Sequence, residues 1–260
     1  MKVTVLGLGE ASSLIAKGLA EQGVEVVAFD FAQKDNPVVP QIDDAADAVS
    51  DADVVLSLNS STLATKYAEQ VASHLMAGAL YCDLNVSTPA LKRKLSEMFP
   101  EGSFVDVAVM KPVAGLAEKV PLSFAGSGAE KFMALFKSLD MNLTYVSDVP
   151  GEAAARNLLS NMLAKNIAGA VIDYMWAAEQ LGLQDWAFEE LQQEFDSMTA
   201  ATAKGHLVDT VKHAKRREIE MMDVVEMLEG VNYQSLFAAP NQLIYNKIYH
   251  LKKVPFSDQE

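Results

Sequence analysis

Gly7 and Gly9 interrupt the stretch VTVLGLGEASSLIAKGL where an apolar strand pattern gives way to a helical one, and Asp30 closes the next apolar run, VEVVAFD, 21 residues after Gly9. That spacing suits the binding of a dinucleotide. The first glycine permits a tight turn, the second lets backbone approach a pyrophosphate, and the following helix presents free N–H groups to the anion. Asp30 can accept hydrogen bonds from ribose hydroxyls. Ser12 stands where the pattern wants a third glycine or an alanine, and its hydroxyl costs helix-to-strand packing rather than phosphate contact. The Asp30 carboxylate repels a 2′-phosphate, and the FAQ that follows carries no Arg. NAD is therefore the expected cofactor, with NADP as the alternative through Lys34.

A second set of chemical residues lies on the long helical segment from Gly151 to Gly182. Asn157, Asn161 and Lys165 are spaced i, i+4 and i+8 and share one helix face, with Lys165 about 12 Å beyond Asn157 at ~1.5 Å of rise per residue. Lys165 could hold or move a proton. The guanidinium of Arg156 can bind an anion or polarise a carbonyl and is not suited to act as a base. His213 carries an imidazole, a side chain suited to proton exchange; Arg216 and Arg217 beside it could bind an acidic substrate. For each of these residues the alternative is a solvated position on a helix surface. No cluster of His, Cys and carboxylates has metal-ligand spacing, so no metal is expected.

These residues need elements to carry them. From residue 1 to about 148, short β-branched runs (VTVLGL, VEVVAFD, DVVLSLN, ALYCDLN, SFVDVAVM, PLSFAGS, LTYVS) are interspersed with helical patterns. This predicts an α/β fold: an N-terminal Rossmann, doubly wound parallel sheet. Beyond Pro150 every segment follows a helical period. The expectation is an NAD(P)-binding domain over 1–148 and an all-helical substrate and dimerisation domain over 149–260, with the active site in the cleft between them.

Bulk properties narrow the partners. A net charge of −14 repels a phosphate backbone, and the one basic run, Lys212 to Arg217, is followed by Glu218 and Glu220; no nucleic acid is expected. No apolar stretch reaches the ~20 residues that span a bilayer, so no membrane is expected. A single cysteine, Cys82 in an apolar run, and the absence of a signal-peptide pattern point to the cytoplasm. Cys82 reads as a buried structural thiol.

GLGEASSLIAKGL, YCDLNVSTPALKRKL (81–95), VDVAVMKPVAGLAEKVPLSFAGS (105–127) and HAKRREIEMMDVVEML (213–228) together resemble the β-hydroxyacid dehydrogenase superfamily, which includes 6-phosphogluconate and 3-hydroxyisobutyrate dehydrogenases. More closely, the chain resembles an uncharacterised branch whose C-terminal part is a domain of unknown function. The resemblance implies that the segment with Asn85 and Ser87 flanks a nicotinamide, that Val109 to Pro112 lines the substrate pocket, and that the chain forms a homodimer through the helical domain. Gly7, Gly9, Glu10, Ala11, Ser12, Asp30, Asn59, Asn85 and Ser87 form the expected cofactor-binding set. Lys111 stands in a loop where the superfamily has small residues that hold a substrate carboxylate. The catalytic Lys of the superfamily falls at Asn157, with Asn161 at its usual Asn. A Lys at position 165 is usual in the branch, which makes Lys165, Asn161, Lys111 and His213 the expected catalytic set. The implied activity is NAD(P)-dependent hydride transfer to or from a small hydroxy compound. The missing Lys leaves open a redox-neutral lyase or isomerase using Lys165 or His213 as acid/base, or a non-catalytic nucleotide-binding protein.

Overall fold

The computed structural model describes residues 1–32 and 37–257. The chain divides into two compact units, Met1–Met162 and Leu163–Glu260. The first holds a seven-stranded sheet: β1 (Lys2–Leu6), β2 (Glu25–Phe29), β3 (Val54–Ser57), β4 (Leu80–Asp83), β5 (Phe104–Val109), β6 (Leu122–Ala125) and β7 (Leu143–Ser147). Their spatial order is β2-β1-β3-β4-β5-β6-β7. Around the sheet lie α1 (Glu10–Glu21), α2 (Ala45–Val49), α3 (Ser61–Val71), α4 (Pro89–Ser96) and α5 (Ala129–Phe136). The helices α4 and α5 are short ones that the sequence pattern did not single out.

Alternation along each strand builds two apolar layers. Val3 and Val5 pack with Ile15 and Leu19 of α1 and Phe132 and Phe136 of α5. Leu6, Phe29, Val55 and Tyr81 pack on the opposite side with Val49, Tyr67 and Leu95. Tyr81 stacks on Phe99 with ring centres 4.2 Å apart. Burial pushes the thiol of Cys82, in the first layer, well above its usual range.

Two details modify the expected sheet. The strands β1 to β5 run parallel, but β6 pairs with β5 antiparallel, and β7 follows β6 in parallel. The physical reason is the connection: residues 110–121 carry a single 3₁₀ turn, Ala117–Lys119, and no crossover helix, which a parallel return requires. At the other edge, Ala28 forms an isolated parallel bridge with Gln41. That one-residue bridge stands outside β2 where a third strand would complete the usual Rossmann order.

The helix α6 (Glu152–Gln180) begins in the first unit and continues in the second, which also holds α7 (Gln184–Ser197), α8 (Ala200–Glu229) and α9 (Ala238–Leu251). Thr199 caps α8 through a capping box with Thr202. Asp173 of α6 accepts hydrogen bonds from Tyr233 Oη (2.8 Å), Ser235 Oγ (2.6 Å) and the Leu236 amide (3.0 Å), fixing the turn that leads into α9. No helix among the described residues is long and apolar enough to cross a membrane.

Candidate functional site

The loop after β1 is built on backbone demands. Gly7 has φ +100° and donates to the Phe29 carbonyl at 2.8 Å, and a Cβ there would lie 2.6 Å from the Leu58 carbonyl oxygen. Only glycine threads this gap without strain. Gly9 is the N-cap of α1 and contributes no side chain to it, so the N–H groups of the first turn are left for an anion. Ser12 is buried, and its Oγ donates to the Gly9 carbonyl at 3.1 Å. The loop thus accommodates a serine at the third position by giving its hydroxyl a partner. Asp30 accepts from the Leu8 amide at Oδ2 (2.6 Å) and from the Ala32 amide at Oδ1 (2.8 Å). Each carboxylate oxygen keeps further acceptor capacity.

Gly7, Gly9, Glu10, Ala11, Ser12, Asp30 and Asn59 line one cleft of about 390 Å³, closed on its far side by Leu63 and Tyr67 of α3. It opens between the ends of β1 and β3. Because β2 lies on the other side of β1, this is the point where the strand order reverses, and ligands of open α/β sheets bind there. Burial pushes the Tyr67 hydroxyl up to about 12, so it stays neutral as it accepts from the Phe31 amide at 3.4 Å.

A buried polar cluster lies where the end of β4 pairs with the middle of β5. Lys92, on α4, directs its ammonium at the Asp83 carbonyl (2.6 Å), at Asp83 Oδ2 (2.8 Å) and at Asp106 Oδ1 (3.1 Å). Thr88 caps α4 by accepting from the Leu91 amide, which sets where Lys92 emerges. The two carboxylates then reach in different directions. Asp83 accepts from Asn85 Nδ2, and Asn85 Oδ1 accepts from the Asn59 amide at 2.6 Å, tying this cluster to the wall of the cleft. Asp106 Oδ2 accepts from the Gly151 and Ala154 amides, both at 3.0 Å, and so caps the start of α6.

Asn157, one turn further along α6, is buried; its Nδ2 donates to the Val109 carbonyl at 2.6 Å and its Oδ1 accepts from Asn161 Nδ2 at 2.6 Å. Asn85, Ser87, Lys92 and Asn157 enclose a cavity of about 10 Å³, room for about one water. Ser87 Oγ and Asn59 Oδ1 are buried and have no hydrogen-bond partner among the described residues. Such groups are costly unless something pairs with them, so both are suited to a bound molecule.

The structure therefore brings the nine cofactor-set residues into two adjoining places. The others are distributed differently. Lys111 is exposed on the 110–121 connection, and Asn161 is half-buried beside Asn157. Lys165 and His213 belong to the second unit, Lys165 exposed on α6 and His213 half-buried where α8 kinks at φ −114°, ψ 15°. Lys34 lies outside the described residues. Sequence reasoning missed Lys92, which looks like a solvated residue of LKRKL. The available signal was its partners: an Asp at the end of one apolar strand and another within the next require a cation if both are buried.

Residues 178–246 match the family described as Domain of unknown function (DUF1932). An uncharacterized 28.5 kDa protein from Methanothermus fervidus is 22% identical over 242 residues, 91% of this chain and 94% of that protein. Among solved structures, the conserved protein of unknown function MTH1747, reported as similar to 3-hydroxyacid dehydrogenases, is 26% identical with a TM-score of 0.62 over 97% of this chain and 99% of its own. An imine reductase from Myxococcus stipitatus in complex with NADP+ has a TM-score of 0.80 at 16% identity, over 96% and 95% of the two chains. The chain has a β-hydroxyacid dehydrogenase-like fold. In this β-hydroxyacid dehydrogenase-like chain the DUF1932 match lies within the second unit, whereas the glycine loop, Asp30 and the Lys92 cluster lie in the first.

Proposed function

We propose that the protein is an NAD(P)-dependent oxidoreductase acting on a small molecule. One observation carries this reading: the glycine loop, the amino end of α1 and Asp30 line a single cleft, and Asn59 links that cleft to the polar cavity through Asn85. A dinucleotide fits these groups. The first turn of α1 would hold the pyrophosphate, Asp30 the adenosine ribose, and Asn59 Oδ1 and Ser87 Oγ, without a partner among the described residues, would take hydrogen bonds. A nicotinamide bound here supplies hydride chemistry; the chain supplies orientation and proton handling. Asn161, Lys111, Lys165 and His213 are the proposed substrate-facing set, with Lys165 or His213 as the acid or base and a small hydroxy compound, or its carbonyl, as substrate. The proposed assembly is a homodimer formed through the second unit. Its support is the apolar area that this unit exposes, with Leu243 at 69%, Leu236 at 67% and Trp186 at 57%.

Asn157 favours a second substrate class. Hydride addition to a carbonyl leaves an alkoxide that needs a proton, whereas addition to a protonated C=N group leaves a neutral amine. Asn157 provides no acid, and its amide is already engaged with Val109 and Asn161. The similarity to an imine reductase supports including imines among the substrates tested.

The test is a fluorescence titration with NADH and NADPH, followed by absorbance at 340 nm with carbonyl and imine panels. Binding with turnover that changes the absorbance at 340 nm supports the reading. Binding with turnover but without a change at 340 nm transfers the chemistry to the redox-neutral alternative, and no binding of either dinucleotide overturns the cofactor assignment.

A further inference from the structure

We propose that Lys66 is a specificity-determining residue that recognises a 2′-phosphate on the adenosine ribose, so that the cleft accepts NADP(H) as well as NAD(H). The inference rests on the dinucleotide reading above and concerns the Asp30 end of the same cleft. Asp30 alone selects against the extra phosphate. Its two oxygens, however, are bound to the Leu8 and Ala32 amides, and these N–H groups offset part of its charge while fixing it as part of the loop. The chain's net charge of −14 adds a general repulsion, so a phosphate is accepted there only if a cation stands nearby.

Lys66 is that cation. Its ammonium lies 3.8 Å from the ring centre of Phe31, the residue directly after Asp30. Phe31 is itself seated on Tyr67, with ring centres 4.6 Å apart, and its amide donates to the Tyr67 hydroxyl. Tyr67 and Asp30 both line the cleft. The lysine is therefore held at the rim of the cleft, on the aromatic platform that follows the ribose-binding acid. Among the described residues its ammonium has no carboxylate partner. A ring face holds an ammonium weakly enough for a phosphate to recruit it, whereas a salt bridge would have to be broken first.

The experiment uses the full chain, because Lys66 is exposed and its replacement leaves no buried group unpaired. NADH and NADPH are titrated into the unaltered protein, Lys66→Met and Lys66→Glu, with adenosine 2′,5′-bisphosphate and AMP as competing probes. Losing one charge-assisted contact to phosphate should weaken NADPH by about tenfold in Lys66→Met and further in Lys66→Glu, with NADH changed less than about twofold. The bisphosphate should lose its advantage over AMP in parallel. Equal effects on both dinucleotides, or none, overturn the inference and leave the dinucleotide reading intact. If neither dinucleotide binds the unaltered protein, both fail.

Discussion

Lys92 and Asp106 meet at 3.1 Å, nitrogen to oxygen, with side chains only 1% and 0% exposed, and the same ammonium lies 2.8 Å from an equally buried Asp83. One cation thus satisfies two carboxylates, one of which caps α6 while the other holds Asn85 against the cleft wall. Replacing Lys92 by Met leaves both carboxylates uncompensated, and the expected loss is about 3–5 kcal/mol. Urea unfolding should show it as a lower midpoint. Adding Asp83→Asn and Asp106→Asn to the same chain should recover part of the loss, because no buried charge then remains; no recovery would mean that the cluster is held by packing rather than charge.

The two loop glycines should separate folding from binding. Gly7→Ala places a Cβ 2.6 Å from the Leu58 oxygen at φ +100°, and both stability and NADH affinity should fall. Gly9→Ala meets only Ser12 Oγ at 3.8 Å. Its effect on stability should be roughly 0.5 kcal/mol or less, while the methyl group intrudes where the pyrophosphate approaches and lowers affinity. Calorimetric melting and nucleotide titration of both variants decide it, and unchanged affinity in Gly9→Ala counts against the loop as a phosphate site.

Asp173 predicts a pH dependence in the second unit. Burial pushes its carboxyl up, but hydrogen bonds from Ser235, Leu236 and Tyr233 outweigh that and hold it below its ordinary 3.8. A carboxyl lowered in the folded state stabilises fully above its unfolded value and loses that contribution as pH falls through the folded one. Asp173→Asn should therefore cost about 1–3 kcal/mol at pH 7, with the gap from the unaltered protein narrowing below about pH 4. A gap that is constant with pH would mean that shape, not charge, is what the Asp contributes.

Cys82 is fully buried, and burial raises its thiol well above the usual range. Alkylation by iodoacetamide at pH 8 should be negligible in the folded chain and fast in urea, since only the thiolate reacts. Rapid labelling of the folded protein would show that the first apolar layer opens readily.

What the sequence disclosed follows a physical rule. Gly7, Gly9 and Asp30 were legible because the tight turn and ribose contact restrict residue type at fixed spacing. The antiparallel β6 was less so, since its direction depends on the absence of a helix between Val109 and Leu122 rather than on anything in the strand itself. Lys92 was hidden by its neighbours. LKRKL places charges on most helix faces, and burial of this one is decided by Asp83 and Asp106, whose positions only the sheet brings together. Asn157 was found at its position by resemblance, but its bond to the Val109 carbonyl belongs to the fold.

The cap on α6 also bears on the order of assembly. Gly151 and Ala154 donate to a carboxylate 45 and 48 residues upstream, so the helix start takes a charged acceptor from β5 in addition to the Val149 carbonyl of the adjacent chain. A nascent α6 lacks that acceptor until β5 has joined the sheet. Its first turn should form late and exchange its amide hydrogens only in the openings that also release β5, as one cooperative unit.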